Sequence, residues 1–343
     1  MLNTHTPKNT TPETLACKSN HSQSALALQL KAAADPLRLD ILRVMASGSF
    51  GVLELCRLFT IKQSGMSHHL KVLTNADWIT SRREGNSIFY RRANLNSSNP
   101  QARLQQQLFD TLDAQPLEST VAAGIDTIQT ERGNLSQRFF SDNADKFREQ
   151  QDLIASYPVY AEQVLELIDA TSIAHGTNAK ILEVGPGEGE CLLSLGKRFS
   201  HVTALDNAKV MLEKAKQTTA GQSGIHFMHG DTGKLKQTHC ENFDAIVVNM
   251  VLHHTPNPRE IFSDLSALLH ADGVLFITDL CRHDQSWVRD TCGDLWQGFE
   301  PEDFTTWADE SHLREGQAIY FALRNGFQIQ VRQFFKNSSK ETL

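Results

Sequence analysis

Apolar positions along this chain follow two rhythms, and the change between them divides it. In the first third they recur with helical spacing. Leu37, Ile41, Val44 and Met45 fall on one face of a helix that Asp35 and Pro36 start well, an acid placed to cap and a proline at the first helical position. Before it, Ser24 to Ala34 is an alanine- and leucine-rich helical stretch; after it, Ser47 to Ser49 close the segment. Leu53 to Phe59 predicts a short third helix and Gln63 to Leu73 a fourth, on which Met66, Leu70 and Leu73 share a face while Ser64, Ser67, His68 and Lys71 lie toward the other. Ile79 to Arg82 and Ser87 to Arg91 are strand-like about Glu84, Gly85 and Asn86. Over 23–98 this predicts helix, turn, helix and a two-stranded wing. The polar residues 1–22 are expected to form a disordered tail.

Asn96 to Pro100 breaks the pattern, and Gln101 to Asp113 reads as a helix with Leu104, Leu108 and Leu112 on one face, inside a linker or dimerisation region spanning 99–134. The last domain is expected over 135–337. Leu135 to Ile168 is helical, with Phe139, Phe140, Phe147, Tyr157 and Tyr160 among charged residues. Then the rhythm changes. Short apolar runs at Lys180 to Val184, His201 to Asp206, Ile225 to His229, Phe243 to Asn249 and Gly273 to Asp279 alternate with helical stretches, such as that carrying Ile261, Leu265, Leu268 and Leu269. Such alternation predicts a parallel, doubly wound α/β sheet. Gln317 to Leu323 and Phe327 to Phe335 meet through Arg324, Asn325 and Gly326, where Asn-Gly signals a hairpin, and Phe327, Ile329 and Val331 alternate with Gln328, Gln330 and Arg332. The fold class expected is an α+β winged helix-turn-helix domain followed by an α/β Rossmann-like domain with a terminal antiparallel hairpin.

The chemistry concentrates where the first strand of that second domain ends. Ile181 to Glu190 reads ILEVGPGEGE: Glu183 sits at the strand's end, and Gly185, Gly187 and Gly189 allow a backbone to approach a ligand closely. An ordinary tight turn is the alternative reading. Asp206 ends the second strand at a spacing suited to a carboxylate that accepts ribose hydroxyls, with Asn207 beside it. Gly230 and Asp231 close the third strand and Asn249 the fourth, and the loop beyond it holds His253 and His254, the candidates for a general base.

Charge sharpens the division. Over 23–98 there are ten Lys and Arg against five acids, a local +5 in a chain of net charge −7, which leaves −12 elsewhere. A polyanion partner for the first domain fits this, as does a solvated basic face. No apolar run approaches the ~18 residues that span a bilayer, and the polar start lacks a signal-peptide core, so a cytoplasmic protein without membrane contact is expected. The six cysteines include no C-x-x-C or C-x-C pair, so neither disulfides nor a cysteine metal site is expected, and no metal ligand is assigned.

Two resemblances attach to these residues. The words AAADPLRLDILRVM, QSGMSHHLKVL and SRREGNSIFY resemble the ArsR-type winged helix regulators. That likeness implies double-stranded operator DNA as partner, a homodimer, and a recognition helix over Gln63 to Leu73. The DNA contacts it implies are Gln63, Ser64, Ser67, His68, His69 and Lys71, with Arg82, Arg83 and Asn86 in the wing. Gly51 and Leu53 stand where metal-sensing relatives carry their Cys-x-Cys pair, so metal sensing there is not expected. The E-x-G-x-G-x-G turn, the order of the strand-end motifs and the terminal hairpin resemble class I methyltransferases. This implies S-adenosylmethionine (SAM) or S-adenosylhomocysteine (SAH) held by Glu183, Gly185, Gly187, Gly189, Asp206, Asn207, Gly230, Asp231 and Asn249, with the helices before the turn as a lid. The whole chain is similar to ArsR regulators fused to methyltransferase-like domains, some of them SAH-responsive repressors of methionine-cycle genes. A SAM/SAH-controlled regulator is therefore the favoured expectation, and an active small-molecule methyltransferase with an attached DNA-binding module the alternative. Trp287, Trp296, Phe299, Phe304 and Trp307 are expected as core, substrate wall or dimer contact.

Overall fold

The computed structural model describes residues 12–95, 101–238 and 242–337, with side chains from residue 23 onward. The chain divides into two compact units, Met1–Arg83 with Ser87–Ile125, and Glu84–Asn86 with Asp126–Leu343.

In the first unit, α1 (Pro12–Ala33) begins inside the stretch expected to be disordered. That expectation is corrected for 12–22, because no glycine and no second proline interrupts the segment and a helix propagates more easily than it nucleates; residues 1–11 lie outside the described residues. Asp35 caps α2 (Pro36–Val44) by accepting the Arg38 N–H at 3.1 Å. A two-residue strand, β1 (Phe50–Gly51), too short to show in the apolar pattern, leads into α3 (Val52–Phe59). The Glu54 carboxylate accepts the Gly51 N–H at 2.7 Å, capping that helix. Then come α4 (Gln63–Asn75), β2 (Ile79–Glu84) and β3 (Ser87–Arg92), the strands ordered β1-β3-β2. Met66, Leu70 and Leu73 are fully buried, as their spacing predicts.

Asn96 to Pro100 lies outside the described residues. In α5 (Ala102–Asp113) the buried stripe is Gln105, Phe109 and Leu112, not the expected Leu104, Leu108 and Leu112. The larger Phe109 takes the inward position, its ring edge-on to Trp78 at 5.8 Å and under the Arg92 guanidinium at 4.3 Å. Arg92 also grips Asp113 at 2.7 and 2.6 Å, so α5 is packed against the wing of its own unit rather than running as a polar linker. α6 (Ser119–Asn143) follows.

The second unit continues with α7 (Phe147–Asp152) and α8 (Tyr157–Asp169). Strands β4 (Lys180–Val184), β5 (His201–Asp206), β6 (Ile225–His229), β7 (Phe243–Asn249) and β8 (Leu269–Leu280) alternate with α9 (Glu190–Gly196), α10 (Lys209–Thr218), α11 (Thr232–Thr238) and α12 (Pro258–Leu268). α13 (Val288–Cys292), α14 (Pro301–Glu310) and the hairpin β9 (Leu313–Ala322) and β10 (Gln328–Lys336) complete it. The seven-stranded sheet runs β6-β5-β4-β7-β8-β10-β9, parallel through β8 and antiparallel at β10 and β9. The chain leaves β4 toward one edge and later returns to its other side, which opens a crevice at the carboxyl ends of β4, β5 and β7.

One expectation changes here. Leu269, read as helical, starts β8 and pairs with Phe243. The polar residues that alternate along β10 are not solvated: Gln330 and Arg332 are buried because the start of α14 and the residues before it lie over that face. Arg332 donates to Pro301 O at 3.1 Å and Thr305 Oγ1 at 3.0 Å and pairs with Glu315, so most of its donors are met by protein rather than by solvent, Nε alone having no partner.

Candidate functional site

The glycine turn after β4 holds left-handed backbone at all three glycines, with φ of 66°, 57° and 90° at Gly185, Gly187 and Gly189. A Cβ on Gly185 would stand 2.5 Å from Val251 Cγ2, and one on Gly189 3.0 Å from the Ala215 Cα, so both space and torsion demand glycine. Around this turn lie two adjoining cavities that share Phe147, Gly185, Gly187 and Met250. The smaller, about 80 Å³, is walled by Tyr157, Tyr160, Glu183, Cys191 and Asn249. The larger, about 550 Å³, is walled by Asp206, Asn207, Gly230, Asp231 and His254, with Phe140 across from them. Gly189 lines neither; it caps α9.

The carboxylates of this cleft differ. Glu183 is buried, and burial raises its carboxyl to about 8 against a partial offset from the Cys191 thiol; its Oε2 has no hydrogen-bond partner. Asn249 donates to Cys191 Sγ at 3.4 Å and leaves its own Oδ1 unpartnered. Asp206 accepts the Ala208 N–H at 2.7 Å, and the protein around it raises its carboxyl to about 6, opposed by that bond and by His229. Asp231 is exposed and accepts the Lys234 N–H at 2.7 Å. The Asn207 carbonyl is tied to Gln137 at 2.7 Å and to His229 at 3.1 Å.

Of the aromatics before the turn, Phe140 and Phe147 reach the larger cavity and Tyr157 and Tyr160 the smaller. Phe140 meets the His254 ring edge-on at 4.8 Å. Three of those after β8 line neither cavity: Phe304 and Trp307, on α14, pack with Phe262 of α12 and with Phe299 at 5.4–5.8 Å as core.

His253 and His254 sit apart in role although adjacent in sequence. His253 is fully buried behind the cavity, its Nδ1 2.6 Å from Asp279 Oδ1. Burial opposes its charge, but Asp279 and Asp294 outweigh that and raise it to about 9. His254 is driven well below its ordinary value, by burial first and by His253 second. Asp294, itself buried, is raised to about 7 by burial, with His253 opposing. Sequence reading missed Asp294, Gln137 and Thr232, which only the fold brings here. Asp279 carried a signal, an acid at a strand's carboxyl end like Glu183 and Asp206.

In the first unit, Gln63, Ser64, Ser67, His68 and Lys71 are exposed along α4, and Arg83 is exposed in the wing. Asn86, in the turn between β2 and β3, is exposed too. Arg82 is half-buried, and His69 turns aside, its Nδ1 3.9 Å from Asp35 Oδ1.

Residues 35–81 match the model of the bacterial regulatory protein arsR family, and residues 182–277 match that of a methyltransferase domain. Ubiquinone biosynthesis O-methyltransferases of Salmonella paratyphi A and Erwinia tasmaniensis are each 26% identical to this chain, covering 44% of it and 69% of their own length. Among solved structures, the [4+2]-cyclase SpnF aligns with 60% of this chain and 97% of its own at 12% identity and a TM-score of 0.49. The N-methyltransferase NodS from Bradyrhizobium japonicum, in complex with SAH, aligns with 56% of this chain and 98% of its own at 19% identity and a TM-score of 0.42. No described helix is long and apolar enough to cross a membrane.

Proposed function

We propose that this chain, an ArsR-family helix-turn-helix domain followed by a methyltransferase domain, is a transcriptional regulator whose operator affinity is set by SAM or SAH in the cleft about the glycine turn. The observation that carries the reading is the pairing of that cleft with an exposed, polar α4 face in one chain. The cleft suits the ligand. Glu183, buried with an unpartnered oxygen, would hold the amino group of the methionine portion, the glycines admit its backbone-like atoms, and Asp206 would accept the ribose hydroxyls. Gly230 and Asp231 would flank the adenine. On the DNA side, Ser64, Ser67, His68 and Lys71 would face a major groove, with Gln63, His69, Arg82, Arg83 and Asn86 nearer the backbone. A homodimer would place two such helices about one helical turn apart on a pseudo-palindrome. Genes of methionine and SAM metabolism are the natural targets of such a device, and the cytoplasm its place.

A second reading has its own support. His254, held neutral on the cavity wall, and the O-methyltransferases among the relatives favour methyl transfer to a small molecule. Operator binding measured with and without SAM and SAH, beside transfer of labelled methyl groups to a cell extract, separates the two. Unchanged operator affinity together with labelled product would replace the regulator by the enzyme.

A further inference from the structure

Behind the wall of the larger cavity, the loop after β7 and the loop after α13 are stitched together. The His253 carbonyl accepts the N–H groups of Leu295 and Trp296 at 2.9 and 3.1 Å, which sets Asp294 against both histidines. One ligand atom each from His253, His254 and Asp294 lie within 4.8 Å of one another, all three residues buried. His253 Nε2 is 4.0 Å from Asp294 Oδ1, and His254 Nδ1 is 3.7 Å from that same oxygen.

Polar satisfaction is lopsided across this cluster. Asp279 is fully served: its Oδ1 takes the Leu280 N–H at 2.7 Å and faces His253 Nδ1 at 2.6 Å, and its Oδ2 takes the Leu252 N–H at 2.9 Å. A carboxylate so placed keeps the proton on Nδ1 and turns the Nε2 lone pair away from itself. Nε2, on the far side of the ring, faces a second carboxylate, Asp294, at 4.0 Å, beyond hydrogen-bond reach. His253 Nε2 and both Asp294 oxygens have no hydrogen-bond partner, and His254 Nδ1, which faces Asp294, has only the Gly293 carbonyl at 3.3 Å. Three unpartnered polar atoms meeting at one buried place cost too much to be incidental. Separations of 3.7 and 4.0 Å are too long for direct hydrogen bonds. They fall within the ~4.2 Å that two ligand bonds of ~2.1 Å can span.

We infer that His253, His254 and Asp294 bind a divalent transition-metal ion, with Asp279 as the outer carboxylate that orients His253. Two imidazoles and one carboxylate suit an ion of borderline softness such as Zn²⁺, Co²⁺ or Fe²⁺, and not Mg²⁺, Ca²⁺ or Cu⁺. A carboxylate on the far nitrogen of a ligating histidine is the usual support of such sites. Cys292, the nearest thiol in sequence, is directed to Gln150 O at 3.4 Å and is not a ligand. Because His254 also lines the larger cavity, that cavity is the entry path.

The test uses the full-length protein, stripped with a chelator and titrated with Co²⁺. One equivalent should bind, with visible d–d bands that Zn²⁺ displaces, and with a higher thermal midpoint. Asp294→Asn and His253→Gln should each lose the bands, with circular dichroism reporting on folding. X-ray absorption of the Zn²⁺-loaded wild type needs no variant and should show two imidazoles, oxygen and no sulfur. Absence of Co²⁺ uptake by the folded wild type, uptake unchanged in folded variants, or a sulfur-containing coordination shell would each overturn the inference, leaving a cluster held by protons alone.

Discussion

The exposed face of α4 and the cleft about the glycine turn are opposite ways to build a site. On α4 the fold is carried by Met66, Leu70 and Leu73, fully buried, while Ser64, Ser67, His68 and Lys71, proposed to meet DNA, are exposed. At the glycine turn the groups that would meet ligand also hold the fold: Gly185 has both a left-handed torsion and Val251 against it, and Glu183 is buried in the sheet. Function and stability should therefore separate cleanly in the first unit and stay entangled in the second.

Gly185→Ala tests that entanglement hardest. A left-handed alanine costs ~1–2 kcal/mol and the overlap with Val251 a further ~1–3. Urea denaturation should show the second unit destabilised by about 2–5 kcal/mol, with ligand binding abolished; an unchanged midpoint would show that the turn is not constrained as described.

Glu183 gives a pH effect of definite sign. Its carboxyl is raised from 4.5 to about 8 by burial, so in the unliganded protein it favours the fold fully below about pH 4.5, and that contribution fades as pH rises to about 8. A ligand ammonium needs the ionised form. SAH affinity should thus fall about tenfold per pH unit below 8, with close to one proton released on binding near neutral pH, read by calorimetry in buffers of different ionisation enthalpy. Glu183→Gln should abolish the proton release; if it persists, the amine is held elsewhere.

Asp206→Ala should weaken SAH by about 1.5–3 kcal/mol, roughly ten- to hundred-fold, because ribose hydroxyls lose a charged acceptor. Equal affinity in wild type and variant would move the ribose out of the larger cavity.

The opposite behaviour is expected on α4. Ser67→Ala and His68→Ala should cost about 1–3 kcal/mol at any base they read, yet leave stability within about 0.5 kcal/mol. Arg82→Ala with Arg83→Ala should weaken all DNA alike and reduce the salt slope by about one unit for each phosphate no longer neutralised. A fall in thermal midpoint with either set would erase the contrast between the regions.

What was readable in the sequence follows the same contrast. Local chemistry wrote itself plainly: the Asp35 cap, the α4 face, the three glycines and the acids ending β4 and β5 all follow from spacing within a few residues. Long-range chemistry did not. Phe109 displaced the expected stripe of α5 because Trp78 and Arg92, distant in sequence, receive it. The alternation along β10 does not tell that Gln330 and Arg332 are buried, which depends on Phe299 and Pro301, some thirty residues away, lying over them. The His253, His254 and Asp294 cluster depends on a loop fastened to the His253 carbonyl, which no periodicity records.

The central claim is that the cleft governs the α4 face. A ligand that binds both DNA-competent and DNA-incompetent states equally shifts nothing, so SAM and SAH must discriminate between them. Operator affinity, on a DNA fragment selected from random sequence, measured without ligand, with saturating SAM and with saturating SAH, tests this most directly. At least one ligand should change the affinity by about five- to 150-fold, and operator DNA should change affinity for that ligand by the same factor. Identical affinity in all three conditions, with ligand shown to be bound, would contradict it.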